Sequence, residues 1–494
     1  MNIDLKDLNF GVPAAERDND LLSCFVSTET YNNLSKGMKS IILGNRGTGK
    51  SALFRKIADE EKAKGNIVIS LAPEEYSYEL LSETLKKEAE GSWLKHGAYS
   101  AAWKHLIYVT IMKNICKEGK TYKRGEEARI YNYLRDNHIN TDSNPIGMLI
   151  SYLKRMEGIK VGKYEASIKA RELRHLYSLE TIEPLLNDIE IYCRKKNIVV
   201  LVDELDKGWD ASEDAIAFVA GLFQAAVFIN NRLNNVRILI SLRKELYDNI
   251  PTLYEDAQKV RDIIETIEWD EPKLLELIAR RITKKLPSFK DDQDDYEEVW
   301  NKIFSEVLDY RQTKSFNYIV DRTLYRPREI IQFCNDVADH IRQNLLPVQL
   351  PFNYKQIAEA EYGYSETRVK DICAEYRFQY PGLLSIMETF RGKSYNYERS
   401  VLENHVISIV VGEVPLSKDA TLWISSLDPE SLIDVLWSIG FIRAQAVGGA
   451  KARRRSGSEY LGSYQVSSLN LRNIKRFHVH PMFRSFLGLK ESKT

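Results

Sequence analysis

The chain holds 494 residues, with 70 Lys and Arg balanced by 70 Asp and Glu, and with 44% hydrophobic and 28% charged residues. That length exceeds what one hydrophobic core supports and predicts roughly two to four domains of ordinary globular composition. A formal net charge of zero excludes a global field that draws the molecule to nucleic acid or membrane, so any such contact must come from a local patch.

The five cysteines (Cys24, Cys116, Cys193, Cys334 and Cys373) are scattered without a C-x-x-C pair, which argues against a disulfide framework or a zinc site. The first residues, Met1 to Asp7, carry no apolar signal segment. The longest apolar run, Ala215 to Ile229, contains Gln224, is too short to cross a bilayer and reads as a buried helix. The expectation is a cytoplasmic protein with no membrane partner.

Residues 1–39 form a lead-in containing Asn9 to Asp18 and a helical stretch from about Leu21 to Leu34. Ser40-Ile41-Ile42-Leu43 is apt for a buried strand, and Gly44-Asn45-Arg46-Gly47-Thr48-Gly49-Lys50-Ser51 follows, with Ala52 opening a helical pattern. The spacing G-x-x-x-x-G-K-[ST] between strand and helix is that of a phosphate-binding loop. Its glycines let backbone N–H groups curl inward, and the helix N-terminus adds positive partial charge. Lys50 then reaches the β- and γ-phosphates of ATP and the Ser51 hydroxyl ligates Mg²⁺. The alternative is a glycine-rich turn into a helix. With this loop in place, Phe10 and Gly11 become candidates for an adenine pocket, a plain packing role being the simpler reading of Phe10.

Gly65 to Leu71 reads as the second strand. A mostly helical insertion covers about 76–196; its central part, about 104–174, has roughly twice as many basic as acidic residues. It is either a nucleic-acid or partner contact or a solvated helix surface. Asn197 to Val202 is an unbroken apolar run of the kind a central parallel strand shows, and it ends in Asp203-Glu204. Asp203 is placed to hold Mg²⁺ and Glu204 to orient and deprotonate a water. Asp206 is a further carboxylate or a solvated loop acid. After a helix from about Glu213 to Asn231, Asn235 to Arg243 supplies another buried strand. Ser241 on it is a candidate sensor of the γ-phosphate. Arg243 contacts phosphate in cis or in a neighbouring subunit, or pairs with a surface acid. Ile263 to Trp269 supplies a fifth strand.

From Glu271 the pattern turns helical, with a 3.6-residue period over Leu274 to Ile282. The run Asp291 to Asp295 reads as a solvated loop. In Leu324-Tyr325-Arg326-Pro327-Arg328, Pro327 suits a helix start, and two arginines there oppose the helix dipole. A bound anion explains that conflict, so Arg326 and Arg328 are candidates for phosphate contact, Arg328 first; pairing with carboxylates is the alternative. Beyond Leu350-Pro351 come further helices, a helix ending at Gly440, and a hairpin with return strands near Tyr464 to Ser468 and Phe477 to His480. This pattern predicts a winged-helix-like domain. The hairpin tip carries Lys451, Arg453, Arg454 and Arg455, an arginine cluster able to neutralise DNA or RNA phosphates; a protein contact or plain solvation are the other readings. His105, His138, His175, His478 and His480 lack ligand spacing and read as structural.

The expected fold is therefore α/β: a P-loop NTPase core with a parallel five-stranded sheet and helices on both faces. Its parts are a lead-in (1–39), the core (40–270) with its insertion, a helical lid (271–350) and a C-terminal winged-helix-like domain (351–494). These motifs, with Phe10-Gly11, Ala15-Glu16, Asp18, Val202-Asp203-Glu204, Leu242-Arg243, Arg326-Pro327-Arg328 and His478 to Phe483, resemble a bacterial family of P-loop ATPases of mostly unassigned function near the AAA+ and STAND groups. That resemblance implies a role in phage defence or related conflicts, often beside a separate effector protein. The residues themselves support an ATP-hydrolysing switch, self-associating into a homo-oligomer, or a non-hydrolysing nucleotide-gated scaffold. A translocating motor is disfavoured by the lack of tandem cores and helicase motifs.

Overall fold

The computed structural model describes residues 8–72, 92–116, 122, 124–137, 179–206, 212–248, 250, 261–286, 289, 295–344, 350–445, 460–466 and 469–491. The basic tip with Lys451, Arg453, Arg454 and Arg455, parts of the expected insertion (76–91, 117–121, 123 and 138–178) and the acidic run at 291–294 lie outside the described residues. The chain divides into two units: Ser27–Asn45 with Lys50–Ile267, and Met1–Val26 with Arg46–Gly49 and Glu268–Thr494.

In the first unit, α1 (Glu29–Ser35) is capped by Thr28, whose side chain accepts from the Tyr31 N–H. Five strands follow, β1 (Ile41–Leu43), β2 (Ile67–Leu71), β3 (Ile198–Val202), β4 (Val236–Leu242) and β5 (Ile264–Thr266). They form one sheet in the order β2-β3-β4-β1-β5, with every pairing parallel. All five residues of β3 are buried, so both of its faces are covered, which is why it reads as an unbroken aliphatic run.

The helices of this unit are α2 (Lys50–Ala63), α3 (Ser92–Ile115), α4 (Glu126–Asp136), α5 (Leu179–Cys193), α6 (Glu213–Arg232) and α7 (Lys244–Asp248). α6 is long and apolar enough to cross a membrane by composition, yet 61% of the window Ala215–Arg232 is buried inside the protein. It packs on α3 at close range. The Trp103 Nε1–H donates to the Phe218 carbonyl at 3.1 Å, and the two rings lie 4.8 Å apart. A Cβ on Gly221 would stand 2.6 Å from the Tyr99 Cβ. Residues of α3, α4 and α5, all from the expected insertion, share one apolar cluster with the sheet strands. The described helices of the insertion are thus part of the core that carries the phosphate loop.

The second unit opens with α8 (Glu271–Lys285), capped by Asp270, and α9 (Tyr296–Asn301). A short hairpin of β6 (Val307–Leu308) and β7 (Thr313–Lys314) leads to α10 (Ser315–Val320), α11 (Pro327–Asn344) and α12 (Tyr354–Glu375). The capping box of Asn353 and Gln356 starts α12. Beyond it lie α13 (Leu383–Glu388), β8 (Asn396–Glu398), α14 (Arg399–Val410), α15 (Lys418–Ile424), α16 (Pro429–Ser438), β9 (Ile442–Gln445), β10 (Tyr460–Leu461), β11 (Arg476–Val479) and α17 (Pro481–Arg484). The strands make an antiparallel sheet in the order β10-β9-β11-β8. Helices followed by this hairpin give the winged-helix-like arrangement.

One return strand sits earlier than its pattern suggests. Tyr460 and Leu461 pair with Gln445 and Ala444, whereas Tyr464 lies in a turn. Its ring stacks on Tyr325 at 5.7 Å and its hydroxyl lies 2.8 Å from His480 Nε2, contacts that remove it from the sheet edge.

Candidate functional site

The loop after β1 begins where the buried Leu43 ends its pairing with Leu242 and Thr266. Gly47 and Gly49 have φ of 85° and 96°, a region that residues with a Cβ rarely enter, so the curl of the loop requires glycine at both positions. Their N–H groups have no hydrogen-bond partner among the described residues. Lys50, at the start of α2, turns its ammonium back onto the loop, donating to the carbonyls of Gly44 at 2.7 Å and Asn45 at 3.1 Å. Burial pushes the Lys50 pKa below its usual value; Glu245, Asp203 and Asp206 pull it the other way, and Arg243 adds to the depression. Ser51 and Ala52 are the next residues of α2.

The two acids stand at the C-terminal end of β3. The Asp203 N–H is bound by the Leu71 carbonyl of β2, and Asp203 Oδ1 accepts from the Glu204 N–H at 2.9 Å. Glu204 has φ of 61°, a left-handed conformation that side chains seldom adopt and that clusters at functional positions. Arg243 is ion-paired with Asp206, the surface-acid alternative weighed for it. The order of the sheet puts β4 between β1 and β3. Ser241 of β4 stands opposite Ile42; its hydroxyl is buried without a partner among the described residues.

In the second unit, three successive loop carbonyls accept hydrogen bonds from outside the loop. Arg326 Nη1 donates to Arg46 O at 3.2 Å, the Arg328 N–H to Gly47 O at 3.3 Å, and Trp269 Nε1 to Thr48 O at 2.9 Å. Arg326 is buried and also pairs with Glu375 at 2.9 Å and with Glu329 at 3.7 Å. Arg328 makes no ion pair among the described residues. Its Nε donates to Pro13 O at 3.3 Å, and burial with the like charge of Arg46 holds its pKa below the usual arginine value. The Phe10 ring is fully buried and lies 5.9 Å from that of Phe304. Asn335 grips the backbone on both sides of it, accepting from Phe10 N and donating to Gly11 O, each at 2.9 Å. Gly11 abuts Arg281, which is buried against Asp18 at 2.6 Å.

Trp269 and Glu245 escape a reading by motif. Trp269 looks like the end of a strand, and Glu245 is only a polar residue in the turn out of β4.

Among the described residues no group of three or more His, Cys, Asp or Glu side chains is disposed to hold a metal ion. Magnesium in a phosphate loop asks for less: one hydroxyl, one carboxylate and the phosphates themselves. Ser51 and Asp203 match that donor set. The N–H groups of Gly47 and Gly49, without partners among the described residues, and Lys50 match a polyphosphate.

Strand order and loop together define a P-loop NTPase fold with a helical C-terminal part. A family described as the FunZ-associated C-terminal helical domain matches residues 272–373. The chain is similar to the putative transposon gamma-delta 80.3 kDa protein of Escherichia coli strain K12, at 24% identity over 504 residues, covering 99% of this chain and 68% of that protein. Among solved structures, the Aeropyrum pernix ORC1 protein in complex with DNA aligns at 10% identity and a TM-score of 0.35, over 96% of each chain. The Aeropyrum pernix ORC2 protein in its ADPNP–ADP complexes aligns at 10% identity and 0.36, over 96% of this chain and 91% of that one.

Proposed function

We propose that the protein binds and hydrolyses MgATP and uses the nucleotide state as a switch. The observation that carries this reading is the Lys50 ammonium, which donates to the Gly44 and Asn45 carbonyls of its own loop and is held below its usual pKa by burial, in a loop where the N–H groups of Gly47 and Gly49 have no partner among the described residues. An anion of high charge density is the partner such a group lacks.

In this reading the N–H groups of Gly47 and Gly49, with Lys50, grip the β- and γ-phosphates. Ser51 and Asp203 hold Mg²⁺, which when bound neutralises charge on the phosphates. Glu204 takes the proton of the attacking water, Ser241 meets the γ-phosphate, and Arg328 contributes a cation from the start of α11. Arg243 requires release from Asp206 before it reaches a phosphate in cis or in trans. The output is self-assembly or control of a separate effector protein or of nucleic acid, in the cytoplasm and in a setting of anti-phage defence. The similarity to a protein named for a transposon supports a setting among mobile elements.

The test compares steady-state phosphate release by wild type and Glu204→Gln, with nucleotide binding measured on both. Retained binding with turnover lost in the variant supports the switch. Equal rates with intact binding replace it with a nucleotide-gated scaffold.

A further inference from the structure

A peptide group is planar, and its C=O and the following N–H point in opposite directions. The carbonyls of Arg46, Gly47 and Thr48 are each drawn outward by a donor, from Arg326, from the Arg328 backbone and from Trp269. The N–H of each of these peptides, on Gly47, Thr48 and Gly49, then points away from the donor that holds its carbonyl. Convergent N–H groups make a concavity that binds anions. The loop geometry is therefore not set by its glycines alone. Glycine permits the conformation, and three donors select it from the many that glycine also allows.

We infer that Trp269 and Arg326 are positioning residues that hold the phosphate loop in its anion-binding form, with Glu375 setting the pose of Arg326. This rests on the proposed nucleotide site. Arg326 and Glu375 are both almost fully buried, their side chains 5% and 3% exposed, and they meet at 2.9 Å. Such a pair fixes the guanidinium in one orientation, because an unpaired charge there is strongly disfavoured. Glu375 is the last residue of α12, the helix that packs against α13 and α17 of the winged-helix-like part. A displacement of α12 thus reaches the loop through two side chains, and the C-terminal part gains a means of tuning nucleotide affinity.

The experiment measures Mg²⁺–AMP-PNP affinity by calorimetry on the full chain, alongside the melting temperature without nucleotide. Trp269→Phe keeps the ring and removes the donor. It is expected to weaken binding about 3- to 10-fold, the range of one net hydrogen bond, without lowering the nucleotide-free melting temperature to match. Glu375→Gln, which removes the charge that pairs with Arg326, weakens binding in the same direction. The double variant Arg326→Met/Glu375→Leu removes this pair as a unit, leaves Glu329 bonded to the Leu324 N–H, and keeps the test open if a single charge deletion fails to fold. Unchanged affinity in Trp269→Phe and in the double variant overturns the inference. A wild type that binds no nucleotide sinks the proposed site instead, and Lys50→Ala distinguishes binding in the loop from binding elsewhere.

Discussion

Ser241 stands opposite Ile42 in the parallel register of β4 and β1, with its hydroxyl buried and unbonded among the described residues. A buried hydroxyl without a partner costs about 1–3 kcal/mol, so its presence on the strand between the loop and the acid pair calls for a functional account. Ser241→Ala is expected to hold or raise the melting temperature while cutting phosphate release on the order of 100-fold, the effect of losing one polar contact to the transition state. A variant that melts lower and turns over normally contradicts the sensor role.

Glu204 bears a related cost. Its φ of 61° disfavours a residue with a branched or long side chain by roughly 1–2 kcal/mol, whereas asparagine enters that region more readily. Glu204→Asn is expected to unfold at an equal or higher denaturant concentration than wild type and to lose turnover. Urea titration followed by circular dichroism checks the first half; a loss of stability above about 1 kcal/mol would count against strain at this residue.

The close approach of α3 to α6 makes a sharper structural prediction. At Gly221 a methyl group would stand 2.6 Å from the Tyr99 Cβ and 2.8 Å from the Ser100 N. Both contacts lie far inside van der Waals range, and two helix backbones cannot yield as a flexible side chain does. Gly221→Ala should lower stability by about 1–3 kcal/mol, the usual cost of overpacking. An unaltered melting curve would mean that α3 does not belong to this core.

Acid should destabilise the C-terminal part through its histidines. Burial and then Lys393 push His405 down to about 4, and burial with Arg484 pushes His478 down to about 3. Burial and Arg443 hold His480 well below its ordinary value. Each is neutral when folded and takes a proton in the unfolded chain below the usual value of about 6.5. The unfolded state then binds more protons, so stability falls as pH drops from about 6.5 towards 4, and levels off for His405 below that. His405→Gln is expected to flatten part of this slope in melts recorded across pH 4–7. A slope identical to wild type would remove His405 from the account.

Much of the core is legible in the sequence because its signals are local. The strand–loop–helix pattern around Gly44 to Ser51, and the aliphatic run ending in Asp203-Glu204, each fit within a dozen residues. What is not legible depends on partners far apart in the chain. Trp269 and Thr48 are 221 residues apart, and Arg326 and Glu375 are 49 apart. No periodicity encodes such pairs. The anomaly of two arginines at the start of α11 is visible in sequence, but not its division: Arg326 on a carboxylate and a loop carbonyl, Arg328 without an ion pair among the described residues. Likewise the insertion reads by charge as a solvated helix surface or a contact for nucleic acid or a partner, while Tyr99, Trp103 and Ile107 of its described helices bury against the sheet's own core.

The most direct measurement is a calorimetric titration of Mg²⁺–AMP-PNP into the wild-type chain and into Lys50→Ala. A saturable heat in the wild type that vanishes in the variant is the predicted result. No heat in either, or the same affinity in both, would contradict the claim that a nucleoside triphosphate lodges in the loop from Gly44 to Ser51.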